Sequence, residues 1–103
     1  MPNTHKCKLV VLIAEKALED KLAQDVMRLG AHGYTVADVR GRGSHGDRNG
    51  TWDADRSIRM EILCDVKTAV TITTHVEKAY FLHYAMVAFV ADVGVLRPQK
   101  FSG

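Results

Sequence analysis

The chain has 103 residues, of which 47% are hydrophobic, and it carries a formal net charge of +2. This length suits one compact domain with a core of its own. The basic excess is small and is not gathered into a face or a tail, which argues against a nucleic-acid partner.

Histidines, cysteines and apolar stretches exclude further classes. The five histidines are scattered without the spacing of metal ligands, so no metal site is predicted, and Cys7 and Cys64 form neither a disulfide framework nor a metal motif. Residues 1–8 are polar and the apolar run after them is short, so neither a signal peptide nor a membrane-spanning segment is predicted. We therefore expect a cytoplasmic protein with reduced thiols and no direct membrane insertion.

The first half of the chain predicts a strand, a helix and a second strand. Residues 9–14 (LVVLIA) form a branched apolar run of the kind that is buried on both faces of a sheet. Apolar residues then recur at helical spacing over residues 16–29, and Gly30 supplies a stop signal. The second strand is predicted over residues 34–39.

The second half predicts a strand, a helix and a last strand. Residues 58–64 alternate between apolar and polar side chains, as in a half-buried strand. Asp65 can cap a helix that runs to about Tyr80, although the β-branched stretch 68–76 also fits the period of two of a strand. The cap and the length favour the helix. Residues 84–96 are almost wholly apolar and predict a long last strand.

The order β-α-β-β-α-β in one domain, residues 1–103, is the ferredoxin-like plan. It is an α+β sandwich in which both helices cover one face of a four-stranded antiparallel sheet. The first and last strands are apolar on both faces, so the face without helices must be buried by something else, and self-association is the simplest answer. We expect the first and third strands to be parallel neighbours, which would place Cys7 and Cys64 on the order of 20 Å apart and disfavour a disulfide within one subunit.

The long connection at residues 40–57 is the most informative segment. Glycines let backbone N–H groups approach a ligand, and arginines offer forked donors that match a phosphate or a carboxylate. Two interpretations stay open from the residues alone, a solvated loop and a cradle for a small anion, and the length of the connection favours a function. A G-x-G-x-x-G match at residues 41–46 does not indicate a Rossmann site, because turn-like residues follow it instead of a helix. The connection contains Arg40, Gly41, Arg42, Gly43, Gly46, Arg48 and Gly50.

The two halves of this loop differ in charge. Residues 40–48 carry a net charge of +2 and residues 49–57 a net charge of −1. The first half is therefore the predicted phosphate side. The acidic half contains Trp52, Asp53 and Asp55 and is predicted to dock a partner protein, with local packing as the alternative role of Trp52.

Four segments together resemble the PII-like signalling proteins. They are G-Y-T-V at residues 33–36, R-G-R-G-S at 40–44, R-M-E-I-L at 59–63 and Y-F-x-x-Y-A at 80–85. The resemblance extends over nearly the whole chain, from about residue 8 to residue 96. It is greatest to the carbon-metabolism branch: the SbtB proteins that accompany bicarbonate transporters, and the carboxysome-associated PII-like proteins.

The resemblance implies a homotrimer that binds adenine nucleotides in clefts between subunits and whose long loop, the T-loop, docks on a transporter or an enzyme. For this chain it implies a regulator of inorganic-carbon uptake or fixation that binds ADP or AMP, with cyclic AMP and ATP as further ligands and bicarbonate as a co-ligand. Such a protein would work beside a membrane transporter or in association with carboxysomes.

The nucleotide-binding residues predicted on this basis come from the family-like segments and from basic residues near them. Arg48 is the predicted direct phosphate contact. Arg59 either reaches the cleft or solvates the sheet edge, and Arg97 either reaches a neighbour's phosphate or is a solvated strand end. The full set is Thr35, Arg40, Gly41, Arg42, Gly43, Ser44, Arg48, Arg59, Tyr84, Ala85 and Arg97.

Two departures from typical PII proteins narrow the ligand. Residues 80–84 lack the glycine and the lysine of a second phosphate-binding loop, which favours ADP, AMP or cyclic AMP over ATP. The loop at residues 40–57 contains no tyrosine, so tyrosine uridylylation is not supported.

The alternative from another class is a trimeric scaffold or metal-tolerance protein of the CutA type, without a nucleotide site. A ferredoxin-like phosphatase would need a catalytic group beside the cradle, and none is identified, so neither catalytic residues nor a catalytic cofactor are predicted. An RNA-recognition domain would show aromatic residues on the open face of the third strand, where Arg59, Glu61 and Leu63 stand instead.

Overall fold

The computed structural model describes residues 3–41 and 56–97. Within them, the predicted order and type of the helices and strands are confirmed. A single 3-10 turn at Lys16–Leu18 precedes the first α-helix. The elements are β1 (His5–Glu15), α1 (Glu19–Arg28), β2 (Thr35–Val39), β3 (Ser57–Cys64), α2 (Val66–Ala79) and β4 (Val87–Val95).

The strands of the described chain form one sheet in the order β2-β3-β1-β4, and every neighbouring pair is antiparallel. The ferredoxin-like plan is therefore confirmed. The expectation that the first and third strands run parallel is wrong, since Lys8 pairs with Cys64 and Glu15 pairs with Ser57. The reason is topological: the helical crossover makes β2 run in the same direction as β1, and the chain then reverses before β3.

The antiparallel register also places the two cysteines side by side, and not about 20 Å apart as expected. The Cys7 thiol donates to the carbonyl oxygen of Cys64 at 3.1 Å. Because Cys64 shares a sheet face with its partner Lys8, the neighbouring Cys7 points to the opposite face. Both thiols are free. A disulfide within one protomer is disfavoured because the two side chains point to opposite faces of the sheet, and not because the residues are far apart.

The core lies between the helices and one face of the sheet. Ile62 of β3 and Val10 and Leu12 of β1 are fully buried there. Val11, which points to the other face of the central strand, is also fully buried, as its apolar run predicted. Both helices turn their predicted apolar stripes to this core, with Leu22, Val26, Ala69, Ile72 and Val76.

Both helices end or begin at the residues that the sequence indicated. The Asp65 carboxylate accepts a hydrogen bond from the N–H of Thr68 at 2.8 Å, so the helical interpretation of residues 68–76 is right and the strand alternative is wrong. α1 is followed by Gly30, whose φ of +117° lies in the region that favours glycine. No helix of the described residues is long and apolar enough to span a bilayer.

β4 begins at Val87, three residues later than predicted. The N–H groups of His83 and Tyr84 both donate to the carbonyl oxygen of Tyr80, at 3.1 and 2.9 Å. These bonds continue the end of α2 as a turn, so residues 80–86 cross between the layers before the strand starts. An apolar composition fits both the turn and the strand, and for this reason it misplaced the boundary.

The second face of the sheet carries no helix in the described chain. Val87 and Phe89 of β4 lie on it, with 52% and 42% of their surface exposed. Val87 pairs with Ile13 and Phe89 pairs with Val11 of β1, so the face is apolar on β1 and β4 as the sequence predicted. We call this surface the open face.

Candidate functional site

The long loop leaves the sheet at one end, between β2 and β3. Val39 pairs with Ser57, which also pairs with Glu15 at the end of β1. We call this row of three residues the loop end of the sheet. Arg40 and Gly41, two of the predicted nucleotide-binding residues, follow Val39 directly and therefore lie at the loop end. A Cβ atom built on Gly41 meets nothing within 4 Å, so its backbone is approachable.

The turn after α2 reaches the same end. Val87 pairs with Ile13, two residues before Glu15, so Ala85 lies close to the level of the loop end. Tyr84 is 38% exposed there. Two of the predicted groups, Arg40 with Gly41 and Tyr84 with Ala85, therefore share one end of the protomer.

These two groups nevertheless belong to opposite edges. β2 and β4 are the outer strands of the sheet, and three strand spacings of about 4.8 Å put them about 14 Å apart. A nucleotide held by both groups would therefore have to bridge the width of the sheet in one protomer. Two protomers that bring a β2 edge and a β4 edge together would shorten that separation.

Thr35 and Arg97 lie away from the loop end. Thr35 begins β2 and pairs with Glu61, at the middle of the sheet. Arg97 follows Val95, which pairs with His5 at the far end of β1. From His5 to Glu15, β1 takes ten steps of about 3.3 Å each, so this level lies about 33 Å from the loop end. Arg97 therefore cannot join Arg40 within one protomer.

Arg59 lies across the open face of the sheet. Its Nε atom is 2.9 Å from Oε2 of Glu61, and its guanidinium carbon is 5.8 Å from the centre of the Phe89 ring. The side chain thus spans from β3 towards β4 over the central strand. Arg59 is thus engaged on the open face within one protomer, and its role in the nucleotide cleft stays a prediction.

The remaining predicted residues lie outside the part of the chain that the structure describes. Their assignment to phosphate binding or partner docking stays a prediction. They are Arg42, Gly43, Ser44, Arg48, Trp52, Asp53 and Asp55.

A polar cluster between the helices was not predicted. Oδ2 of Asp25 on α1 accepts the hydroxyl of Tyr80 at 2.5 Å and lies 2.9 Å from Nε2 of His75. Oδ1 of the same carboxylate accepts from Arg28 at 3.4 Å. We call these four residues the Asp25 cluster. Only 13% of the Asp25 side chain is exposed, so donors from both helices converge on a nearly buried carboxylate.

The Asp25 cluster keeps its acid ionised. Burial raises the pKa of Asp25, but hydrogen bonds from Tyr80, His75 and Arg28 lower it by more, so the pKa lies below the usual carboxyl value. Burial and the bond to Asp25 both raise the pKa of the Tyr80 hydroxyl, which therefore remains a donor at neutral pH. The contact is a charge-assisted hydrogen bond.

One signal in the sequence did point to this cluster. Asp25 falls within the helical apolar stripe, three residues after Leu22 and next to Val26. An acid on a buried stripe needs a partner. Its partners, His75 and Tyr80, are 50 and 55 residues away along the chain, so the pairing itself could not be read from local spacing.

Residues 3–41 and 56–97 contain no group of three or more histidine, cysteine, aspartate or glutamate side chains placed to share a metal ion. The buried thiol is likewise unreactive in character, since burial raises the pKa of Cys64 to about 11.

Comparison with known proteins assigns this chain to a protein family. The family model for the nitrogen regulatory protein P-II matches residues 7–100. A PII-like signalling protein from Thermus thermophilus has a solved structure that is 40% identical, covers 98% of this chain and 99% of its own, and superposes with a TM-score of 0.81.

Ligand-bound relatives have the same fold. The PII-like protein CPII from Thiomonas intermedia, bound to ADP and bicarbonate, is 26% identical over 98% of this chain and 99% of its own, with a TM-score of 0.83. A second CPII structure, with ADP, AMP and bicarbonate, aligns at 24% identity over the whole of both chains with a TM-score of 0.84.

Proposed function

Because the chain belongs to the PII family, we propose that it is a trimeric, non-catalytic sensor of adenine nucleotides that regulates inorganic-carbon uptake or fixation. Proteins of this family form trimers, bind adenine nucleotides and are generally signalling proteins without catalytic activity. The ligands we propose are ADP and AMP, with bicarbonate as co-ligand.

The CPII structure that holds ADP and bicarbonate carries this proposal. It is 26% identical to this chain, and the alignment covers nearly the full length of both chains. The bicarbonate bound in that CPII structure, and the resemblance to SbtB and carboxysome-associated proteins, support the proposed carbon branch. The protein target is proposed to be a bicarbonate transporter or a component of carbon fixation.

The distance between the predicted nucleotide-binding residues supports a site between subunits. Arg40 and Gly41 lie on the β2 edge, while Tyr84 and Ala85 lie near the β4 edge. A trimer that buries the open face would bring the edge of one protomer to the opposite edge of the next. One subunit would then supply the loop and its arginines, and its neighbour would supply the turn.

In the mechanism we propose, each part of the site has its own task. The basic half of the loop, with Arg48, holds the phosphates, and the backbone at Tyr84 and Ala85 contacts the adenine. Phosphate binding selects one arrangement of the loop, whose acidic half with Trp52 docks the target. The size of this response is limited by the difference between the nucleotide affinities of the two loop arrangements.

Calorimetric titration tests this function. ADP, AMP, cyclic AMP and ATP are titrated into the protein with and without bicarbonate, and binding of ADP or AMP is expected to be the tightest. If none of these nucleotides binds at millimolar concentration, the proposed function is wrong. Released phosphate after prolonged incubation with ATP would instead indicate a phosphatase.

Two variants of Arg48 separate a nucleotide sensor from a CutA-type scaffold. Arg48→Ala should reduce the thermal stabilisation that ADP produces, and Arg48→Lys should restore it only in part because lysine keeps the charge but loses the forked donors. A scaffold would show no nucleotide-dependent change in melting temperature in the wild type or in either variant.

A further inference from the structure

Tyr80 joins the Asp25 cluster to the turn that leads into β4. Its hydroxyl donates to Asp25 on α1, and its carbonyl oxygen accepts the N–H groups of His83 and Tyr84. Its ring also lies 6.0 Å from the ring of Tyr84, at an angle of 49°. One residue thus fixes the turn to the first helix through its side chain and its backbone at once.

The side chain of Tyr80 is held from several directions. It is 1% exposed, and the His75 ring meets it edge-on at 6.0 Å. Nζ of Lys21 on α1 lies 5.5 Å from the centre of its ring. Since Asp25, Lys21 and His75 all contact the same ring or its hydroxyl, Tyr80 has one well-defined position between the helices.

The turn itself has few anchors of its own. Phe81, Leu82 and Tyr84 are 43%, 84% and 38% exposed, so none of these side chains is buried in the core. The backbone N–H groups of residues 83 and 84 are held by their hydrogen bonds to the carbonyl oxygen of Tyr80. The position of that backbone depends on where Tyr80 is held.

We propose that Asp25 and Tyr80 are positioning residues that fix the turn at residues 80–85 and so set the affinity and base selectivity of the nucleotide site. The inference rests on the proposed function, which puts Tyr84 and Ala85 against the adenine. Hydrogen bonds to a base edge need donor–acceptor distances near 2.9 Å. A small displacement of this backbone would therefore weaken the bonds to adenine and reduce the preference for adenine over other bases.

The first test needs no nucleotide. Amide hydrogen exchange is measured for the wild type, Tyr80→Phe, Asp25→Asn and the control Thr71→Val, which removes a hydroxyl from the exposed side of α2 where it bonds to the carbonyl oxygen of Lys67. Tyr80→Phe keeps the ring and loses only the bond to Asp25. We expect exchange at His83 and Tyr84 to be about tenfold faster in this variant, with amides in mid-α2 unchanged.

The second test compares ADP with GDP by calorimetry on the same proteins. Tyr80→Phe and Asp25→Asn should weaken ADP binding by about fivefold to tenfold and GDP binding by less, so the preference for adenine falls. Asp25→Asn should show the smaller effect, since an amide oxygen can still accept from Tyr80. Thr71→Val should bind both nucleotides like the wild type.

The outcomes separate this inference from the proposed function. Unchanged exchange at residues 83 and 84 in Tyr80→Phe overturns the inference whatever the protein binds. If exchange is faster in Tyr80→Phe but the wild type binds no adenine nucleotide, the proposed function is overturned. The role of Tyr80 in positioning the turn then still stands. Faster exchange with unchanged ADP affinity and selectivity also overturns the inference, because a moved turn would then have no effect on the ligand.

Discussion

The open face makes a quantitative prediction about assembly. Phe89 lies on this face with 42% of its surface exposed in the protomer, beside Val87, which is 52% exposed. If the open faces meet in the trimer, Phe89→Ala should weaken self-association. The same substitution also removes the contact with Arg59, so the stability of the protomer is a poor measure of the effect.

The size of the effect follows from the exposed fraction. A phenylalanine side chain buries about 200 Å², so 42% of it leaves about 80 Å² to be covered by a neighbour. At about 25 cal/mol per Å², this area contributes about 2 kcal/mol per protomer and about 6 kcal/mol per trimer. The association constant of the trimer should therefore fall by about four orders of magnitude.

Sedimentation equilibrium over a range of concentrations measures this constant directly. Val70→Ala is the matched control, because Val70 is 58% exposed but belongs to α2 and not to the open face. It should associate like the wild type. A Phe89→Ala protein that associates as tightly as the wild type would show that the open face is not the contact surface.

Three smaller predictions concern single residues. Asp65→Ala should lower the free energy of unfolding in urea by about 1 kcal/mol at pH 7. Because the backbone hydrogen bond from Thr68 lowers the pKa of Asp65, this difference should be complete above about pH 4 and vanish as the pH falls through the lowered pKa. Gly30→Ala should cost about 1–2 kcal/mol since its φ is +117°, while Gly33→Ala, with open space around its Cβ, should cost no more than about 0.5 kcal/mol. Cys64, whose pKa burial raises to about 11, should resist alkylation at pH 8 until the protein unfolds.

Each of these has a contradicting result. A loss in Asp65→Ala that persists unchanged at low pH would exclude the ionised cap as its cause. Equal losses in the two glycine variants would exclude backbone conformation as the reason at Gly30. Alkylation of Cys64 in the native state at the rate of the unfolded chain would contradict its burial.

Local sequence patterns predicted most of the fold because they reflect interactions between residues that are close in the sequence. The alternation over residues 58–64 became β3, in which Met60 and Ile62 are fully buried. Asp65 became the cap of α2, since a carboxylate at that position needs only the N–H three residues later. Both signals are contained within a few neighbouring residues.

The parts that were wrong or missed depend on contacts that hydrophobic patterning does not reveal, and most of these contacts join distant parts of the chain. The direction of β3 against β1 follows from the whole topology, and the start of β4 follows from hydrogen bonds to Tyr80 that apolar composition does not encode. The Asp25 cluster joins residues from two helices. Of the predicted site, Arg40, Gly41, Tyr84 and Ala85 share the loop end, whereas Thr35 and Arg97 lie elsewhere in the protomer.

The pairing of Val39 with Ser57 has a consequence for how such proteins diverge. Because β2 and β3 close the loop at its base, the length of the loop changes the closure entropy only slowly, by about 0.6 kcal/mol for each doubling. Insertions, deletions or a whole exchanged segment between these two residues should leave the sheet and its core intact. If the loop docks a partner as proposed, its sequence can change to suit a new partner without a redesign of the domain.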